Sequence, residues 1–152
     1  MSELKDKTSD RKADHIELAQ RSQMSSGPDS RFDYEPLMSA HPQNDQDLSL
    51  NFLGKKLKYP LWISSMTGGT REANKINENL ARAAGEFKLG MGLGSCRSLL
   101  DSNKRFKDFN FRSLLVESPF YANLGLAQVE KLLDKKELDK IEDMVDKLKC
   151  DG

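Results

Sequence analysis

Along this chain a strand-then-helix pattern restarts about every 30 residues, the length of one βα unit. "PLWISSM" (60–66) reads as a strand, and "REANKINENLARAAGEF" (71–87) follows as a helix. In that helix Ala73, Ile76, Leu80, Ala83, Ala84 and Phe87 recur at three- and four-residue steps, which predicts an apolar face. "LGMGLGS" (89–95) is a second strand, and "SPFYANLG" (118–125) a third. Between them, "SLLDSNKRFKDFNFRSLL" predicts a helical stretch broken near Asp108. After the third strand, apolar stripes from Leu126 to Leu133 and from Leu138 to Leu148 predict two helices with a break near 134–136. Strands alternating with helices, with no hairpin between them, imply a parallel sheet. "LKCDG" then stands where a fourth strand is expected to begin.

Ligands of parallel α/β folds bind at the carboxyl ends of the strands. Here those ends read "SSMTGG", "GLGSCR" and "YANLG". Ser, Thr and Asn offer donors and acceptors without charge, and glycine lets a backbone come close to what it binds. This inventory suits a large, planar, mostly uncharged ligand. A plain βα turn at Gly68-Gly69 would leave the same trace. Gly90, Gly92 and Gly94 alternate, and Ser95 breaks the G-x-G-x-x-G pattern, so this is no dinucleotide fingerprint. The alternation clears one face of the strand, for a ligand or for a neighbouring element. Arg97 follows, where a planar guanidinium would reach an anion.

Residues 1–59 are read as an N-terminal extension, and 60–152 as the main fold. "RKADHIELAQ" predicts a short helix, with Arg11 and His15 one turn apart and Lys12 beside them, a set suited to a phosphate or to plain solvation. "LSLNFLGKKLKYPLWI" predicts a strand, a turn at Gly54-Lys55 and a second strand. Charge balances at 24 basic against 24 acidic residues, which argues against a broad nucleic-acid surface. No apolar run reaches the roughly 20 residues of a membrane span, and the charged start is no secretory signal. Cys96 and Cys150, far apart and without metal-ligand spacing, read as reduced thiols of a cytoplasmic protein. No hydrolase, protease or P-loop motif occurs, and no catalytic residue stands out.

In order and spacing, "RKADHIELA", "PLWISSMTGGT", "INENLARAAGEFKLGMGLGSCR" and "YANLGLAQ" resemble the type 2 isopentenyl-diphosphate isomerases. The resemblance runs from about Arg11 to the end of the chain and is weakest over 99–117. It implies a (β/α)8 TIM barrel of the FMN-dependent type, with FMN, NADPH and Mg2+ as cofactors. It further implies interconversion of isopentenyl and dimethylallyl diphosphate in isoprenoid biosynthesis. NADPH would keep the flavin reduced, with no net redox change. By the same resemblance Ser65, Met66 and Thr67 would line the flavin. Ser95 would meet flavin and substrate, and Asn123 the flavin ring. Arg11, Lys12 and Arg97 would hold the diphosphate, with His15 nearby.

A full barrel needs about 250 residues, and this chain supplies about its first three βα units. The family's glutamine, its Mg2+-binding glutamate and its glycine-rich phosphate loops have no counterpart here, so no metal ligand is assigned. The expectation is therefore the first half of such an enzyme: a homo-oligomer at full length, bound to no nucleic acid or membrane, with little activity as a half. The rival expectations are a related FMN barrel oxidoreductase, such as a 2-hydroxy acid oxidase, and a non-catalytic half-barrel for binding or assembly.

Overall fold

The computed structural model describes residues 14, 16–19, 21–22, 46–65, 68 and 71–152. The expectations placed on Arg11, Lys12, His15, Met66 and Thr67 lie outside the described residues. Within the first segment, residues 14, 16–19 and 21 are helical, and Glu17 and Arg21 form an i,i+4 ion pair at 2.5 Å.

The hairpin forms as β1 (Leu50–Phe52) and β2 (Lys55–Leu57), antiparallel, with Leu50 opposite Leu57 and Phe52 opposite Lys55. Its turn is Leu53-Gly54, one residue earlier than the sequence suggests. Both residues take positive φ (46° and 83°), as tight two-residue hairpin turns require. Lys55 is thereby released into β2, and its ammonium becomes a contact of the sheet end.

Three short strands make the parallel sheet, in the order β3 (Trp62–Ile63), β4 (Gly90–Gly92), β5 (Phe120–Tyr121). Trp62 pairs with Gly90, Ile63 with Met91, Met91 with Phe120 and Gly92 with Tyr121. Because side chains alternate along a strand, Ile63, Met91 and Phe120 share one face, and Trp62, Gly90, Gly92 and Tyr121 the other. Where "LKCDG" is expected to begin a fourth strand, no strand forms among the described residues, and 151–152 add only two backbone bonds beside β5. The Asp151 N–H donates to the Phe120 carbonyl (2.7 Å), and the Ala122 N–H donates to the Gly152 carbonyl (2.9 Å).

The first face is covered by helices. α1 (Arg71–Phe87) lays Ala81 and Ala84 onto it, and α3 (Asp139–Leu148) contributes Met144 and Leu148 to the same core as Met91, Leu93 and Phe120. The buried stripe of α1 is Ala73, Asn77, Ala81 and Ala84, whereas Leu80 and Phe87, expected inside, are exposed. Small side chains let the helix sit close: a Cβ on Gly85 would collide with the Leu114 carbonyl. The break between α2 (Leu126–Lys135) and α3 falls where expected. Lys136 takes the left-handed conformation (φ 57°), and the Glu137 N–H returns to the Leu132 carbonyl, closing the helix end.

The expected helix between β4 and β5 is not formed. Residues 97–99, 103–108 and 112–114 make three separate 3-10 turns, the second ending at Asp108. The reason lies in the aromatic spacing. Phe109 and Phe111 are both buried, and two residues apart they cannot share one face of an α-helix. Ser102 caps the start of the second turn, its hydroxyl accepting from the Lys104 N–H.

Candidate functional site

Every βα unit ends its strand at the same edge of the sheet, and three of the expected site residues meet there. The β4–β5 ladder continues past both strands: the Leu93 N–H donates to the Tyr121 carbonyl, and the Cys96 N–H to the Asn123 carbonyl, each at 2.8 Å. Those two bonds hold Ser95 and Asn123 side by side at the carboxyl ends. Ser65, just beyond β3, places its hydroxyl over Gly92 of the neighbouring strand. Ser65 and Ser95 are exposed and Asn123 is half-buried. The result is an uncharged row of two hydroxyls and one amide.

The glycines resolve a choice that the sequence left open. A Cβ on Gly90 would fall inside the Trp62 indole, and one on Gly92 would lie 2.5 Å from the Ser65 hydroxyl. A Cβ on Gly68 would stand 2.6 Å from the Phe109 ring. All three therefore accommodate neighbouring side chains of the protein. On the open face, Trp62 over Gly90 meets Tyr121 at 5.8 Å between ring centres, and Phe52 of the hairpin completes the group at 5.2 Å and 6.2 Å. Sequence reasoning missed this trio. Two of its signals were present, however: a Trp and a Tyr on strands flanking a glycine strand.

Arg97 opens the 3-10 turn after β4 and is exposed. It borders a cavity of about 180 Å³ shared with Asp101, Gln128, Lys131, Lys135 and Glu137. Lys131 and Lys135, one turn apart on α2, were legible as an i,i+4 pair but were not connected to Arg97. Three cations thus face two carboxylates, and one of these is already committed. Glu137 accepts from Lys140 at 2.8 Å, which holds its carboxyl below the usual range. The surplus around Arg97 is positive. The structure brings Arg97 to the same end of the sheet as Ser95.

A larger cavity, about 700 Å³, lies at the opposite, amino end, between the hairpin and Lys88–Glu117. Lys55, Lys56 and Lys58 line it. The carboxyl ends remain the candidate site, because that is where parallel sheets present ligand-contact loops. Among the described residues, no group of three His, Cys, Asp or Glu is placed to hold a metal ion. Among them, too, no helix is long and apolar enough to cross a membrane.

Neither cysteine forms a disulfide; Cys96 is buried, its thiol donating to the Gly94 carbonyl at 3.4 Å, and Cys150 is partly buried. Burial pushes the Cys150 thiol up to about 12 from an ordinary 9.0; Cys96 adds to the shift and Arg112 opposes it. The unfolded thiol ionises first, so between about pH 9 and 12 the folded state binds more protons and stability falls as pH rises. Replacing Cys150 with Ala is expected to flatten that alkaline loss in urea melts at about pH 8 and pH 10.5. An equally steep loss in the variant would assign it to other groups.

The sheet and its edge thus define a parallel α/β unit that presents an uncharged hydrogen-bonding row, with cations at one side. Curated relatives sharpen this picture. The chain is 39% identical over 150 residues to an isopentenyl-diphosphate delta-isomerase of Nostoc sp., covering 95% of this chain and 42% of that protein. It is 37% identical over 140 residues to the protein of the same name from Rickettsia felis, covering 90% and 41%. For Rickettsia typhi the figures are 36% over 156 residues, with 98% and 44% covered. The chain therefore spans about two-fifths of the length of these relatives. No family model matches it.

Proposed function

We propose that this chain forms one wall of the active site of an FMN-dependent isopentenyl-diphosphate isomerase with a (β/α)8 barrel fold. The observation that carries the reading is the gathering of Ser65, Ser95 and Asn123 at the carboxyl ends, with the cation-rich surroundings of Arg97 beside them. Similarity to relatives named isopentenyl-diphosphate delta-isomerase supports the reaction class and a small-molecule substrate.

The residues present fit a flavin ring on chemical grounds. Two hydroxyls and an amide supply neutral donors and acceptors to a conjugated, hydrogen-bonding heterocycle, and no carboxylate stands among them to repel its electrons. Reduced FMN would supply the proton movement between the allylic carbons, with NADPH keeping it reduced. This chain's own residues would do the holding: Ser65 and Asn123 orient the ring, Ser95 lies between ring and substrate, and Arg97 takes the diphosphate. Arg11, Lys12 and His15 belong to the same proposal as further diphosphate ligands, and Met66 and Thr67 as flavin contacts. Mg2+ finds no donor cluster among the described residues, so no step here runs through it.

The chain by itself is expected to bind FMN weakly and turn over little. Supplied under nitrogen with FMN, NADPH, Mg2+ and isopentenyl diphosphate, it should fall far below a full-length relative; comparable turnover would overturn that expectation. In a protein of the relatives' full length carrying this segment, Arg97→Ala should weaken isopentenyl diphosphate binding. A charge-assisted hydrogen bond contributes about 1.5–3 kcal/mol, so the loss is roughly 10- to 150-fold. Unchanged affinity would remove Arg97 from the diphosphate site.

A further inference from the structure

The hairpin is tied to the sheet in two separate places. At its base, Leu57 is buried and the Lys58 N–H donates to the Lys88 carbonyl at 3.1 Å. Near its tip, the Lys55 ammonium reaches Asp151 Oδ1 at 2.9 Å, and Phe52, directly opposite Lys55 in the ladder, lies on Trp62 and Tyr121. The base tie is apolar and backbone-borne. The tip tie is one partly exposed ion pair (28% and 22% side-chain exposure) and one ring that remains 37% exposed. Leu53, at the turn itself, is 75% exposed.

We infer that the hairpin is a latched stopper. It is hinged at Leu57–Lys58 and closed by Lys55 on Asp151, with Phe52 capping the Trp62–Tyr121 pair at the amino end of the sheet's open face. Asp151 suits the latch because it is fixed independently of the hairpin. Its Oδ2 already accepts from the Phe120 N–H (2.8 Å) and from Arg112 (3.1 Å), so opening the tip does not loosen the sheet. A two-stranded hairpin alone is not stable in water. Once unlatched, β1–β2 therefore opens its ladder more often while the sheet keeps its own. The closed stopper covers only part of the aromatic pair, with Trp62 still 38% exposed beneath Phe52. None of this depends on which ligand the carboxyl ends take.

The chain carries its own probe, because Trp62 is its single tryptophan. In Lys55→Met, hairpin amides should exchange about three-fold faster and acrylamide should quench Trp62 more strongly, as expected for losing a partly exposed ion pair. Amides of Met91 and Leu93, within the β4–β5 ladder, should be unchanged. Lys55→Arg, which keeps the cation, should behave as the parent, and raising salt should move the parent towards Lys55→Met. No change in hairpin exchange or quenching in Lys55→Met would overturn the latch. Hairpin and sheet amides accelerating together would overturn the independence of the hairpin from the sheet.

Discussion

Replacing Asp151 with Ala is expected to cost the fold about 3 kcal/mol, the sum of an orphaned amide donor and a partly buried ion pair broken on one side. The carboxylate accepts from the Phe120 N–H, from Arg112 and from Lys55, three groups from separate parts of the chain. Arg112 is the critical partner. Its guanidinium also donates to the carbonyls of Val116 and Ser118, stacks over Phe120 at 5.7 Å, and is only 15% exposed at the side chain. Without Asp151 that charge stays in place with no carboxylate beside it. Asp151→Asn, which keeps an acceptor for the Phe120 N–H, should lose about half as much. Urea melts read both, with an unchanged slope expected because the same surface is exposed on unfolding. A loss below about 1 kcal/mol for Asp151→Ala would make the carboxylate an ordinary surface charge.

The second large effect is at Gly90. Adding one methyl there places it inside the Trp62 ring, so the indole must leave its seat against Phe52 and Tyr121. Overpacking of this kind costs about 1–3 kcal/mol. Gly90→Ala should therefore be destabilised with no ligand present, and its tryptophan emission should shift to the red as the ring gains water. A glycine reserved for close approach of a ligand would behave otherwise. The variant would then keep its stability and its emission and lose only binding.

That contrast shows what was legible in the residues and what was not. The βα repeat and the break at 134–136 were legible, because periodicity and helix-ending geometry are local properties. The failed helix after β4 was not. Its composition permits helix, and only the burial of both Phe109 and Phe111 against distant elements forbids it. In α1 the stripe was rotated for a similar reason: contact with the sheet selected Ala81 and Ala84 over the larger Leu80 and Phe87. At the candidate site, the rule that ligands sit at strand carboxyl ends pointed to the stretches "SSMTGG", "GLGSCR" and "YANLG", and the family resemblance singled out Ser65, Ser95 and Asn123 within them. The Trp62 seat on Gly90 was not, because sequence cannot tell which partner fills the space a glycine leaves. Lys131 and Lys135 needed the fold to bring α2 beside Arg97.

In the proposed function, the carboxyl ends of β3, β4 and β5 form a flavin-binding wall. An amide chemical-shift map of this chain during titration with FMN tests it most directly, since weak binding is still visible in such a map. The shifts are expected to concentrate at Ser65, at Ser95–Arg97 and at Asn123, with the lysine-lined cleft of Lys55, Lys56 and Lys58 unmoved. Shifts confined to that lysine cleft, or none at Ser65, Ser95 and Asn123 at saturating FMN, would contradict it.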